Sequence, residues 1–303
     1  MAAVLLAVVT IVFAMIHASG DPLDALVPPG SAPADVDVLR AKYGLDQPLA
    51  AQYGHFLANA VQGDFGESWR FGEPARQVVL ERLPATLELV GLAFGLALLV
   101  AIPLGSAAGA RPGGAVDVFA QALALLGQAV PGFWLGTILI LVFSVRLGWM
   151  PSSGRDGIDS TVLPVLTLAA YPAAVLLRMV RASVQEAMAL DYVRTARSKG
   201  LSERVVLFVH VLKNAALPPI AYAGVLAGFL MAGSVVVEWV FAYPGAGQLA
   251  LQSVSSRDLP VVLMFVTVTA FFIVIANLVA EITSSLIDPR IPQGHQAMAG
   301  WSR

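Results

Sequence analysis

Residues 191–218 read DYVRTARSKGLSERVVLFVHVLKNAALP, a charged, helix-forming stretch set between long apolar runs. The other short connections are small, rich in Gly or Pro, or acidic; this one is basic and carries its own apolar residues. From Ser183 to Lys199 the chain is rich in Ala, Met, Leu, Glu, Gln and Arg, which are good helix formers. Arg197 and Lys199 followed by Gly200 form a helix stop. Ser202 is placed to cap a second helix bearing Val205, Val206, Phe208, Val209, Val211 and Leu212, which Pro218-Pro219 ends. The expected form is helix, glycine turn, helix, with an apolar surface flanked by basic side chains. A solvated loop whose charges only fix topology needs neither the apolar face nor the glycine stop. A short cross-helix seated in a cleft of another protein uses both.

The surroundings of this loop are apolar enough for lipid. The chain of 303 residues is 57% hydrophobic and 13% charged, and its mean hydropathy is +0.77; a soluble domain carries roughly 25% charged residues. Crossing hydrocarbon takes about 20 mostly apolar residues, and runs of that length satisfy their own backbone only as helices. Six such runs are readable: 2–19, 84–108, 116–145, 161–182, 219–241 and 260–287. The first has no basic residue before it, and the first basic residue of the chain is Arg40. A secretory signal opens on a basic region, so the run reads as a membrane helix, with a cleaved signal as the alternative. The absence of cysteine excludes disulfides, thiolate metal sites and cysteine nucleophiles.

Sidedness follows from the basic residues of the short loops. With six spans, the chain ends, the 109–115 turn and the 183–218 loop share one side. That side holds ten basic residues: Arg111, Arg178, Arg181, Arg194, Arg197, Lys199, Arg204, Lys213, Arg290 and Arg303. The short loops opposite hold three, Arg146, Arg155 and Arg257. This excess puts both termini and the basic loop in the cytoplasm. The long segment 20–83 falls outside. It is acidic, with nine Asp or Glu against five Lys or Arg. Within it Leu49, Tyr53, Phe56, Leu57, Ala60 and Val61 recur at helical spacing after Pro48, predicting an amphipathic helix on the membrane face or on the outer ends of the spans, broken by Gly63-Asp64-Phe65-Gly66.

At this point the residues carry a resemblance. The basic loop resembles the cytoplasmic loop of type I ABC-importer permeases, whose short coupling helix docks into the nucleotide-binding subunit. The general motif has Glu-Ala-Ala and, after three intervening residues, a Gly. Here Arg194, Thr195 and Ala196 hold those positions and Gly200 is kept, so the Glu and first Ala are absent. Leu217-Pro218 also lies further from the Gly than in the general motif. Both departures resemble the dipeptide/oligopeptide/nickel subfamily, and Asp191 to Leu201 matches its D-Y-V-R-T-A-R-x-K-G-L form at every fixed position. Leu45-Asp46-Gln47-Pro48, Gly63-Asp64-Phe65-Gly66, Arg82-Leu83-Pro84-Ala85-Thr86, Gly148-Trp149-Met150-Pro151, Pro244-Gly245-Ala246-Gly247 and Asp288-Pro289-Arg290 resemble, in order, pieces of the first, B-type, permease of that pair.

The resemblance implies an all-α membrane protein of six transmembrane helices. It implies one permease domain over 1–303: a first helix at 1–19, a long extracytoplasmic loop at 20–83, a five-helix core at 84–287 and a cytoplasmic tail at 288–303. It implies Arg194, Thr195, Ala196, Lys199, Gly200 and Leu201 as the surface coupled to an ATPase. The implied partners are a second homologous permease, two ATP-binding subunits, an extracytoplasmic solute-binding protein and the bilayer of a prokaryotic cytoplasmic membrane; nucleic acid is not among them. Short peptides are the implied cargo, with nickel, glutathione or another small solute as alternatives.

The chemistry missing from the chain agrees. There is no G-x-x-x-x-G-K-[ST] loop, no H-E-x-x-H and no G-x-S-x-G, and His17, His55, His210 and His295 are scattered. The chain is expected to bind no cofactor and catalyse nothing, leaving ATP and Mg to partner subunits. Ionisable residues within spans deserve a functional reading first. Glu88, Glu281 and Asp117 lie near span ends and read as interfacial or structural. Glu238, followed by Trp239, Phe241 and Tyr243, reads as a candidate outer gate beside an interfacial aromatic belt. An ion-coupled carrier would show inverted repeats and mid-span acids, and neither is evident; a non-transporting scaffold is the third class.

Overall fold

The computed structural model describes residues 45–287 continuously and scattered positions between 6 and 41. The expected first span lies largely outside the described residues, as do Asp21, Asp24, Asp35 and the tail from Asp288. Every regular element among the described residues is a helix, and an isolated bridge joins Glu67 to Pro74.

Helix α1, Leu49–Val61, follows Pro48 as its sequence predicts. Phe56 and Ala60 pack on Phe65, Val78, Val79, Leu249 and Val261, and Tyr53 and Phe56 meet the ring of Phe13 at 5.2 and 5.6 Å. The amphipathic helix therefore lies across the ends of other helices. Helix α2, Ala75–Ala110, holds 36 residues. It begins well before Pro84, where the hydropathy placed the span, because Val78 and Val79 gain burial beneath α1. Pro84 and Pro103 lie inside it. At 1.5 Å per residue α2 is about 54 Å long, so it projects beyond roughly 30 Å of hydrocarbon.

The expected span 116–145 is not one straight helix. Helix α3, Ala115–Ala129, and helix α4, Gly132–Leu139, which continues as a π-helix over Ile140–Arg146, meet at 103°. Pro131 explains the break, since the residue before a proline is driven from the helical region and Val130 sits at ψ 121°. The two helices still carry the chain across. Asp117 bonds Arg181, Gly127 abuts Ala170 and Ala174, and Gly136 abuts Thr167 and Phe241. Each contact lies further along the same neighbour, so the pair is one broken crossing.

That neighbour is helix α5, Ile158–Met188. The basic loop forms helix α6, Asp191–Ser198, and helix α7 over 203–215, whose middle, Val206–Val211, is π-helical. Helix α8, Leu217–Val240, short helix α9, Ala246–Ser255, and helix α10, Leu259–Ile287, complete the chain. Four helices, α2, α5, α8 and α10, are long and apolar enough to cross a membrane, and the broken pair makes a fifth crossing. Consecutive crossings alternate in direction. Arg111, Arg181 and the α6–α7 loop mark one end, called here the basic end; Glu238 marks the other.

Close packing sets the arrangement. Parallel α2 and α5 touch backbone to backbone: a Cβ on Gly109 would stand 2.5 Å from the carbonyl oxygen of Arg181. Small residues permit such approach in lipid, where no hydrophobic force drives helices together. Gly105, Gly224 and Gly228 likewise abut other helices of this chain, whereas Gly91 and Gly95 face open space. Ala97, Ala101, Ala108, Ala120 and Ala124 form a small-residue core toward the basic end, and Leu89, Leu163, Leu230, Met231, Phe241 and Tyr243 a bulkier one toward Glu238.

Candidate functional site

The basic loop is a built structure. Helix α5 ends at Met188 and Leu190 turns extended, at φ −75° and ψ 153°, before α6 begins. The helix expected from Ser183 to Lys199 is thus two, because the turn at 189–190 lets α6 fold back on α5. Asp191 in the first turn of α6 and Arg197 in the last complement its dipole. Val193 and Ala196, three apart on one face, are buried against Val180, Val184, Ala187, Val206 and Val211.

The stop comes at Gly200 as read, at φ +79°. The Leu201 amide donates to the Ala196 carbonyl at 3.4 Å and the Gly200 amide to the Arg197 carbonyl at 2.9 Å. This pair of bonds is a Schellman closure, which requires a left-handed residue. Arg197 then spans the turn to Glu203 with bonds of 2.8 and 3.1 Å. The guanidinium holds the Glu203 carboxyl below its usual range, and the carboxylate raises Arg197. Ser202 makes no side-chain cap; its carbonyl accepts from the Val206 amide at 3.0 Å, and Glu203 supplies the negative charge of the first turn.

The apolar residues of α7 divide between two faces. An i→i+5 ladder brings residues five apart near one line, so Val206 and Val211 both turn inward. Val205, Phe208 and Val209 are exposed. Pro218 and Pro219 open α8, where a first-turn proline loses no helical bond. Of the six residues expected at a coupling surface, Arg194, Thr195, Lys199, Gly200 and Leu201 are exposed. Ala196 is buried, so it supports that surface from below. Arg194 is 77% exposed and its contact with Asp191 is 3.4 Å, an arrangement of little stabilising value that leaves its charge available.

At the other end Glu238 is wholly buried. Thr86 Oγ1 donates to its Oε1 at 2.7 Å, the Gln248 amide donates to its Oε2 at 2.8 Å, and the Ala246 amide donates to Thr86 Oγ1 at 2.8 Å. Ala246 and Gln248 belong to the first turn of α9. Glu238 and Thr86 therefore cap α9 from two other helices, where a helix N-terminus favours negative charge. A Cβ on Gly245 would fall 2.3 Å from Glu238 Oε2, so the Pro244-Gly245-Ala246-Gly247 stretch is shaped around this carboxylate. Glu88 pairs with Arg155 at the same end, and both are part exposed.

Two polar anchors lay beyond sequence reasoning. Asp258, buried at the turn into α10, accepts from the Trp69 and Arg70 amides at 3.1 and 3.3 Å and from Ser68 Oγ. Only the hydrophilic RDLP run at 257–260 signalled it. Asp117, read as interfacial or structural, and Arg181, counted only for its charge, are paired, with Arg181 Nη2 donating at 3.0 Å and the Gly113 amide at 2.8 Å. No cluster of metal-ligating side chains occurs among the described residues.

Residues 101–293 match the family model described as "Binding-protein-dependent transport system inner membrane component". The chain belongs to this family. The permease is 39% identical over 300 residues to the oligopeptide transport system permease protein AppB of Bacillus subtilis, covering 95% of each chain. It is 38% identical over 282 residues to the glutathione transport system permease protein GsiC of Escherichia coli K12, covering 93% of this chain and 92% of that one. In fold, it resembles a chain of the inward-facing MetNI methionine ABC transporter with TM-score 0.58, at 16% identity over 69% of this chain and 95% of the other. It is an ABC-importer permease subunit, an inner-membrane protein that crosses the bilayer several times.

Proposed function

We propose that this permease, with a second homologous permease, forms the pathway by which short peptides cross the cytoplasmic membrane. An extracytoplasmic protein delivers the peptide, and two ATP-binding subunits on the cytoplasmic side drive the cycle and hold the ATP and Mg. The observation that carries the coupling role is the α6–α7 loop: an eight-residue helix seated by Val193 and Ala196, closed at Gly200, with Arg194, Thr195, Lys199 and Leu201 turned outward. A rigid element with an exposed basic rim is what a moving ATPase surface can push. The push has effect only if contacts differ between the open and closed ATPase states. The excess of basic residues at this end supports a cytoplasmic placement of the loop and of both termini.

The peptide reading rests on the likeness to AppB, an oligopeptide transport system permease protein. GsiC favours glutathione as a second reading; glutathione is itself a γ-linked tripeptide. Glu238 acts at the outer gate indirectly, holding α9 against α2 and α8 with no solvent-facing contact of its own. Membership of this family sets aside the ion-coupled carrier. The deciding experiment is reconstitution of the permease pair with its ATP-binding subunits and binding protein, followed by uptake of labelled trialanine and glutathione. ATP-dependent accumulation of trialanine is the expected result. Accumulation of glutathione alone, or of neither, rejects the oligopeptide reading.

A further inference from the structure

Arg178 points the wrong way for a residue that merely reaches for the membrane surface. Helix α5 runs toward the basic end, and helical side chains lean toward their own N-terminus. Arg178 therefore leans away from the near surface, toward mid-membrane. Its Nη1 donates to Gln128 Oε1 at 3.1 Å, while Gln128 Nε2 donates to the Ala124 carbonyl at 3.2 Å. Gln128 stands 11 residues beyond Asp117 along α3, about 16 Å at 1.5 Å per residue. One turn nearer the end, Arg181 is neutralised by Asp117. Arg178 is exposed and, among the described residues, forms no ion pair with a carboxylate.

Around it lies a groove of about 740 Å³ between α3 and α5, lined by Gln121, Gln128, Arg178 and Arg181 with Leu125 and Met179. A charge and two amides at this depth are costly against lipid and belong beside water. The volume falls in the range of sites that hold small solutes, roughly 300–1,000 Å³. Two turns deeper on the same stripe of α5, Tyr171 stacks on Phe229 at 4.7 Å, so an aromatic wall continues the surface.

We propose that this face of α3 and α5 lines the solute pathway and that Arg178, steadied by Gln128, binds the carboxylate of the passing solute. The planar guanidinium matches a carboxylate with two parallel donors. A neutral amide as its partner leaves the charge uncompensated, which suits a ligand that must leave again. The proposal rests on the importer reading above and adds a site and a ligand chemistry to it.

The chain contains no cysteine, so an introduced cysteine is the only thiol of this subunit, and the unsubstituted importer supplies the background labelling to subtract. In the reconstituted importer, Leu125→Cys is treated with an anionic and a cationic water-soluble methanethiosulfonate reagent. The anionic reagent is expected to react about tenfold faster, and Arg178→Gln to abolish that preference. Trialanine uptake is expected to fall about tenfold or more in Arg178→Gln, the loss of a charged hydrogen bond, and to recover in part in Arg178→Lys, which restores the charge but not the paired donors. A Leu125→Cys inert to both reagents means lipid or a partner helix fills the groove, and overturns the proposal. Equal rates for the two reagents, or undiminished uptake in Arg178→Gln, overturn it as well. Uptake in Arg178→Lys no higher than in Arg178→Gln makes the residue structural and does the same. If the charge preference holds while the wild type takes up no trialanine, the anion-binding groove stands and the peptide reading falls.

Discussion

Thr86 of α2 donates its hydroxyl to Glu238 of α8 across 2.7 Å, and the same hydroxyl oxygen accepts from the amide of Ala246 at the start of α9. One small side chain thus ties three helices at a single buried point. With Gln248 also donating to Glu238, both oxygens of the carboxyl group act as acceptors.

Glu238→Gln therefore loses one of two acceptors. Its amide nitrogen must face Thr86 or the Gln248 amide, leaving donors opposed in a buried site. The expected cost is about 1–3 kcal/mol, read as a lower unfolding midpoint of the purified permease in detergent. Thr86→Val should cost a similar amount, and the two together less than their sum, because they share one network. Additive losses would show that the two residues act separately.

Gly200→Val should leave the permease in the membrane but weaken coupling. The left-handed conformation costs a side-chain-bearing residue about 1–2 kcal/mol, and that strain opens the Schellman closure that ties the Leu201 amide to the Ala196 carbonyl. Binding-protein-stimulated ATP hydrolysis should persist while uptake per ATP falls severalfold. Gly200→Asn, which tolerates this conformation better, should be milder. Equal uptake per ATP in Gly200→Val and the wild type would remove the loop from the coupling path.

Asp117→Asn leaves Arg181 without its counter-charge where α3 meets α5. Breaking a buried pair from one side strands the other charge. Yield and unfolding midpoint should both drop clearly. Replacing Asp117 and Arg181 together by Asn and Met should recover part of the loss, measured by size-exclusion profiles after heating.

Asp258→Ala frees the turn at 67–74, since Ser68, Trp69 and Arg70 all donate to this carboxylate. Trypsin should then cut after Arg70, which is exposed, several times faster than in the wild type, with little change at sites on the basic loop. An unchanged rate would mean that the bridge between Glu67 and Pro74 holds the turn alone.

The exposed pair Arg197–Glu203 adds a modest pH dependence. Arg197 lowers the Glu203 carboxyl, so the contact is present above the usual glutamate range and is lost as pH falls through the lowered value. Reconstituted ATPase–permease coupling should weaken on acidification in the wild type and lose that sensitivity in Glu203→Gln.

Much of this was legible in the chain because it depends on local rules. Long apolar runs announced helices in lipid, and Gly200 after Arg197 and Lys199 announced a stop. Pro48 and the spacing of Tyr53 and Phe56 announced α1. Where expectation and structure part, partners distant in sequence are the reason. Hydropathy cannot show that 116–145 bends by 103°, because both halves are apolar and packing along α5 selects the angle. The resemblance set Ala196 on the coupling surface, because a motif matched along the chain does not show the face of α5 beneath α6.

By itself the sequence determined that the chain spans a membrane, that its basic residues gather at one end, and that it carries no nucleotide-binding loop of its own. Those properties follow from composition and from short motifs whose physics is local. Tertiary structure alone decided that Glu238 caps α9, that Asp117 neutralises Arg181, and that Arg178 turns inward to Gln128 across a groove. Each is a pairing of polar groups brought together from different helices. In a low-dielectric interior it is the partner, not the residue, that fixes what a charge does.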